Sequence, residues 1–136
     1  MKNVIASLKE KKIRITPQRL GVYQAIWGEN RHLTAEEVYE KIKNTIPAVS
    51  LATVYTILDL FKEKGLIGEI RIEFDRSRFE TKTTFHHHFL CKKCHKIFDV
   101  DKPPCPELER GRIDGHVIEK LQGYFYGTCK NCLDKE

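Results

Sequence analysis

The stretch Phe85-His86-His87-His88-Phe89-Leu90-Cys91-Lys92-Lys93-Cys94 sets three imidazoles and two thiols within ten residues. These are the side chains a zinc-like ion selects, and a Cys-x-x-Cys turn brings two thiolates onto one metal at about 2.3 Å each. A second pair follows at Cys129 and Cys132. Two such pairs have the composition of a closed tetrahedral structural zinc site, although the loop between them is longer than in the commonest zinc ribbons. Four ordinary buried cysteines or two disulfides are the alternative, but paired spacing of this kind is a ligand habit and not a packing one. In a strand, His86 and His88 point to one face and His87 to the other. His86 and His88 can therefore share a metal separate from the thiolate one.

The chain of 136 residues suffices for one domain or two small ones, and 40% hydrophobic with 32% charged residues excludes a disordered protein. Its opening, Met1-Lys2-Asn3-Val4-Ile5-Ala6, lacks the apolar run and cleavage site of a signal peptide, and no apolar run reaches membrane-spanning length. A cytoplasmic protein with no membrane association is expected. In that reducing compartment cysteines serve as thiolate ligands more readily than as disulfides. Cys105, in Pro103-Pro104-Cys105-Pro106, is left over with no assigned role. Of the net charge of +5, residues 1–82 contribute fifteen Lys or Arg against eleven Asp or Glu, and residues 83–136 nine against eight. Zinc-bound thiolates would make the second part more negative still, so a polyanion should prefer the first.

Val4, Ile5 and Leu8 give a weak helical stripe. Thr16-Pro17 then places a capping hydroxyl before a proline at the first helical position, with Leu20, Tyr23 and Trp27 at helical spacing until Gly28. Thr34-Ala35-Glu36-Glu37 is a capping box, and Val38 and Ile42 supply the buried side of the helix it opens. Ser50 caps a further helix whose apolar face is Leu51, Val54, Leu58 and Phe61, ending at Lys64-Gly65. Ala52, Thr53 and Thr56 point away from that stripe, with Tyr55 on its flank. The period then changes to two. Ile70, Ile72 and Phe74 alternate with charged residues, a turn follows at Asp75-Arg76-Ser77, and residues 78–81 return as the partner strand. Helices followed by a β-hairpin predict a winged helix, whose later helix enters the major groove of DNA.

The remainder reads as a small α/β unit. Residues 89–91 and 96–100 are expected as strands around the first cysteine turn, residues 107–112 as a short helix, and residues 117–118 and 124–126 as two more strands. Such a unit buries little core, and a structural metal offsets the shortage by tying its last residues to its middle. The boundary is expected near residues 82–84, giving a DNA-binding part over 1–82 and a metal-binding part over 83–136.

Five segments together carry a resemblance that covers almost the whole chain: Arg14-Ile15-Thr16-Pro17-Gln18-Arg19, His32-Leu33-Thr34-Ala35-Glu36-Glu37-Val38-Tyr39, Ser50-Leu51-Ala52-Thr53-Val54-Tyr55, His86-His87-His88 with Cys91-Lys92-Lys93-Cys94, and Tyr126-Gly127-Thr128-Cys129. In this order and spacing the chain resembles the ferric uptake regulator family. The resemblance implies an α+β fold: an N-terminal winged-helix DNA-binding domain, then a small α/β dimerisation domain with a four-cysteine zinc site. It implies a cytosolic homodimeric repressor of metal-uptake or peroxide-stress genes that binds a double-stranded operator, palindromic and AT-rich. Cys91, Cys94, Cys129 and Cys132 match the family's structural zinc ligands, and His32, Glu80, His86, His88 and Asp99 match its regulatory site. Five nitrogen and oxygen donors suit Fe(II), Mn(II) or Zn(II) without choosing among them. An ion joining His32 in the first part to His86 and His88 in the second would act as a clasp.

For DNA, Ser50, Ala52, Thr53, Tyr55 and Thr56 are expected to face the bases. Arg19 and Lys62 are suited to phosphates, and Arg14 matches a basic position that the family inserts into the minor groove. The peroxide-sensing branch has aspartates where this chain has Glu80 and Asp99, and iron sensors have glutamates; this sequence is mixed. Phe85 and Leu121 stand where a further histidine–carboxylate site would need histidines, so that site is expected to be absent or altered. Gly111 and Gly115 interrupt the dimerisation helix, which is expected to be shortened. Two other classes compete. A zinc hydrolase would use His86 and His88 with Glu80 as base, but no nucleophile motif accompanies them, and a zinc-ribbon interaction module leaves the winged-helix half unused. The expectation is a regulator and not an enzyme.

Overall fold

The computed structural model describes residues 2–28, 31–81, 86–101, 111–119 and 123–134. They divide between two units, Met1–Thr83 and Thr84–Glu136. In the first, the chain runs through α1 (Lys2–Glu10), α2 (Pro17–Ile26), α3 (Ala35–Ile42) and α4 (Leu51–Glu63) into β1 (Gly68–Ile70) and β2 (Arg78–Glu80). Three of the four helices start where a side chain satisfies an otherwise orphan backbone amide. The Thr16 hydroxyl accepts from the Arg19 amide ahead of Pro17. Thr34 and Glu37 complete a reciprocal capping box. Ser50 accepts from the Thr53 amide.

Those starts fix which side chains point inward. Leu8, Val22, Ile26, Val38, Val54, Leu58 and Phe61 are fully buried in one core, where Tyr23 meets Phe61 edge to face at 5.7 Å. Two stripes shift from the sequence expectation. On α2 the buried face is Val22, Tyr23, Ala25 and Ile26, and Trp27 has left the helix as its C-cap. On α4 Ile57 joins Val54, Leu58 and Phe61, while Leu51 is only half-buried. The outer side of α4 presents Ala52, Tyr55 and Thr56.

β1 and β2 pair antiparallel, Gly68 opposite Glu80 and Ile70 opposite Arg78. Leu33 adds a bridge to Phe79, the two residues exchanging both backbone hydrogen bonds at 3.2 and 2.8 Å. The first strand is shorter than its alternation predicts. Pairing stops at Ile70 because Arg78 turns inward and draws Glu73 back toward itself. The tip therefore turns at residues 73–75 and leaves Phe74 fully exposed. Helices leading into this wing make the unit a winged helix.

The second unit is built on β3 (His87–Cys91), β4 (Ile97–Val100), β5 (Arg112–Ile113), β6 (His116–Val117), β7 (Tyr124–Gly127) and the short α5 (Lys130–Leu133). β3 lies central in the order β4-β3-β7, antiparallel to β4 and parallel to β7. β5 and β6 form a separate hairpin. Its turn, Asp114-Gly115, has φ of 49° and 82°, the pair of left-handed residues that a two-residue hairpin needs. A helix reaching Arg112 is thus corrected: Arg112 opens a strand, and the Asp-Gly signal explains why. Residues 107–110, Cys105, the expected linker at residues 82–84, Phe85 and Leu121 lie outside the described residues.

Among the described residues of this unit, the buried apolar-class side chains are Cys91 and Cys129, with Phe89 and Phe98 half-buried and their rings 6.4 Å apart. That core is thin. The first unit's is not, and truncating its centre, Phe61→Ala, is expected to destabilise it by about 3–5 kcal/mol in denaturant unfolding. A loss under about 1 kcal/mol would contradict the packing described.

Candidate metal centres and reading helix

Cys91 ends β3, Cys94 follows three residues on, and Cys129 and Cys132 flank the start of α5 after β7. Because β3 and β7 run parallel with Cys91 opposite Gly127, both cysteine turns emerge at the same end of the sheet. The Cys91–Cys132 and Cys94–Cys129 Sγ separations are both 3.8 Å, and all four sulfurs lie within 4.8 Å of one another. A regular tetrahedron with metal–sulfur bonds of about 2.3 Å has an edge of about 3.8 Å, so the cluster fits a structural zinc ion. A disulfide would need about 2.05 Å, and the four are free thiols.

The electrostatics agree. Amide N–H groups of Cys94 and Cys129 point at the Cys91 sulfur, at 3.4 and 3.3 Å. They hold its pKa down to about 5. Cys132, hydrogen-bonded to Cys129, partly desolvated and close to Cys91, is pushed up to about 12. One sulfur ionises readily and the last does so only if a cation absorbs the added charge.

The other sequence-selected ligands fall into two sets, one in each unit. In the first unit, His32 Nε2 lies 3.5 Å from Glu80 Oε2, both side chains almost wholly buried. The Leu33–Phe79 bridge positions them, since it sets the residue before Leu33 beside the residue after Phe79. In the second unit, His86 Nε2 and His88 Nε2 lie 3.4 and 3.5 Å from one oxygen of Asp99. His88 is directly opposite Asp99 in the β3–β4 register, and the two imidazole rings are 4.5 Å apart. Buried imidazole nitrogens beside carboxylate oxygens are the donor set of a divalent transition metal.

His87 points to the opposite face, where its Nδ1 accepts the Gly123 amide at 2.9 Å. A Cβ on residue 123 would lie 2.9 Å from that nitrogen, so only glycine admits the approach. Burial first, then the neighbouring His86 and His88, lowers the His87 pKa, keeping it a neutral acceptor. His95 and His116 are exposed.

At the start of α4 the Ser50 and Thr53 hydroxyls are 2.9 Å apart, and Thr56 Oγ1 donates back to the Ala52 carbonyl. Arg19 Nη1 donates to the Arg14 carbonyl at 3.0 Å, which fixes the segment carrying Arg14. The Tyr55 hydroxyl donates to Glu36 Oε1 at 2.6 Å. That bond lowers the Glu36 pKa and raises that of Tyr55. Sequence reasoning singled out neither Glu36 nor Arg78, which bonds Glu37, Glu73 and the His32 carbonyl. Both roles rest on partners distant in the chain, Tyr55 for Glu36 and His32 and Glu37 for Arg78, and no local signal marks them.

The sequence profile described as the Ferric uptake regulator family matches residues 10–122, and the chain belongs to that family. It is one of metal-responsive transcriptional repressors that bind DNA operators and act as dimers. The peroxide-responsive repressor PerR of Staphylococcus aureus is 36% identical over 133 residues, covering 96% of this chain and 90% of the relative. The crystal structure of the Vibrio cholerae ferric uptake regulator superposes with a TM-score of 0.70 at 26% identity, covering 91% of this chain and 98% of that one. PerR from Streptococcus pyogenes superposes with a TM-score of 0.52 at 28% identity, covering 96% and 90%. These relatives are regulators, not enzymes, and neither the zinc-hydrolase nor the interaction-module alternative finds support. Among the described residues no helix is long and apolar enough to cross a membrane.

Replacing Cys94 by serine is expected to release one tightly held zinc per chain, measured by elemental analysis, and to unfold the second unit. Full zinc content with an unchanged circular dichroism spectrum in Cys94→Ser would contradict a structural role.

Proposed function

We propose that this protein is a cytoplasmic, homodimeric, metal-responsive repressor in which residues 1–82 bind DNA and residues 83–136 dimerise and hold metal. The observation that carries the reading is the buried His32–Glu80 pair, fixed to the wing of a winged helix. Two buried groups of this kind do not face each other for packing alone, because desolvated polar atoms need partners. His32 and Glu80, together with His86, His88 and Asp99, are assigned to one regulatory cation, Fe(II), Mn(II) or Zn(II). Cys91, Cys94, Cys129 and Cys132 are assigned to structural zinc.

When bound, the regulatory cation supplies a shared positive centre for nitrogen and oxygen donors of both domains. His32 and Glu80 commit the winged helix to that arrangement, and His86, His88 and Asp99 commit the dimerising domain. Without it, only a fraction of dimers would hold their two winged helices at operator spacing. The operator is proposed to be palindromic, matching a two-fold dimer, and AT-rich. Tyr55, its hydroxyl engaged by Glu36, offers a ring edge suited to thymine methyl groups, with Ser50, Ala52, Thr53 and Thr56 beside it. Arg19 serves phosphates and Arg14 the minor groove, where AT-rich sequence is narrow and attracts arginine. The genes controlled are those of metal uptake or peroxide stress.

Two outcomes test this. His32→Ala is expected to lose the metal-dependent part of operator affinity, about 5–150-fold, in gel retardation with added Mn(II), while zinc content and dimer mass stay unchanged. Operator binding by His32→Ala that still requires added metal would place the regulatory site elsewhere. Tyr55→Ala is expected to narrow the preference for operator over random DNA by about 1–3 kcal/mol. Arg19→Ala should instead weaken both alike and reduce the salt slope by about one. Equal operator preference in Tyr55→Ala and wild type would discard the reading helix assignment.

A further inference from the structure

Arg78, on β2, is a largely buried guanidinium whose partners come from three separate segments of the winged-helix unit. Its Nε donates to Glu73 of the wing loop. Its Nη1 donates to the His32 carbonyl at 3.0 Å and to Glu37 Oε1 at 2.9 Å. That Glu37 oxygen also accepts the Thr34 amide at 3.2 Å, so the carboxylate of the α3 capping box is the one the guanidinium holds. The next residue along β2, Phe79, exchanges two backbone bonds with Leu33. The one after it, Glu80, faces His32 Nε2. His32 is thereby held to β2 by its carbonyl through Arg78 and by its ring through Glu80.

From this convergence we infer that Arg78 is a positioning residue carrying the state of the His32–Glu80 pair into the wing loop and the start of α3. The inference rests on the metal-responsive reading given above and deepens it. The regulatory response has a component inside each winged helix, beside any change in the spacing of the two. His32 cannot shift without moving β2, and β2 cannot shift without dragging the guanidinium that holds Glu73 and Glu37. The residue preceding Glu37, Glu36, holds Tyr55 on the reading helix. A planar guanidinium can serve three acceptors in fixed directions, whereas an ammonium is a single flexible point of charge. Lysine therefore preserves the charge of residue 78 and loses the linkage. Glutamine at residue 37 keeps the capping box and loses the ion pair.

The test compares wild type, Arg78→Lys and Glu37→Gln as full-length zinc-loaded dimers. Operator and random-DNA affinities are measured at one salt concentration with and without Mn(II), beside the Mn(II) affinity without DNA and the thermal midpoint without Mn(II). Wild type is expected to bind operator about 5–150-fold tighter with Mn(II). Both variants should lose about threefold or more of that ratio, while Mn(II) affinity without DNA stays within about twofold, because neither residue is a proposed ligand. An unchanged ratio in either folded variant would overturn the inference. So would weakening of operator and random DNA by one common factor with a lowered midpoint, the signature of a merely structural role. If Arg78→Lys fails to fold, Glu37→Gln decides. A wild-type ratio of one would instead remove the metal-responsive reading itself, and this inference with it.

Discussion

The four cysteine sulfurs converge within 4.8 Å of one another at one end of the sheet, and the placement of the other candidate ligands follows from that convergence. Cys91 closes β3 and Cys129 follows β7, so joining the two cysteine turns fixes the parallel pairing of these strands. Once β3 is fixed, the period-two geometry of a strand sends His86 and His88 to one side and His87 to the other. The antiparallel register then sets Asp99 beside the first two. With so little apolar surface buried among the described residues, sheet packing alone would not impose this order. Zinc in the thiolate site would be structural by its energetic role, since its binding free energy is folding free energy.

The first unit solves a different problem with ordinary means. It has a continuous apolar core and capped helices. Its polar residues are instead concentrated where β2 meets the segment before α3. There the buried His32 imidazole faces the buried Glu80 carboxylate, and the largely buried Arg78 guanidinium is held by Glu73, Glu37 and the His32 carbonyl. Removing one member of such a set leaves the others desolvated and unpaired, which is why half-satisfied networks are avoided in ordinary cores.

Much of this was legible in the sequence, and the reasons are local. Capping boxes, a proline at the first helical position and Cys-x-x-Cys spacing are short-range signals whose geometry is nearly fixed by the residues themselves, and Thr16, Thr34 and Ser50 cap where expected. The wing was less legible. Alternation through Phe74 predicted a longer strand, but pairing ends at Ile70, and Glu73 beyond it bonds back to the Arg78 guanidinium. The Asp114-Gly115 hairpin was in plain view as a turn signal and was outweighed by the family's helix. Glu36 and Gly123 escaped notice because their partners, Tyr55 and His87, are nineteen and thirty-six residues away. Their roles exist only once the chain is folded.

The central claim is that one regulatory cation and operator DNA favour the same arrangement of the protein. Linkage makes that claim reciprocal: whatever factor the cation adds to DNA affinity, DNA must add to cation affinity. The most direct measurement is calorimetric titration of the zinc-loaded wild-type dimer with Mn(II), free and saturated with a palindromic operator duplex. The operator is expected to tighten Mn(II) binding by about 5–150-fold, equal to the factor by which Mn(II) tightens operator binding. Mn(II) affinity identical with and without operator would contradict it.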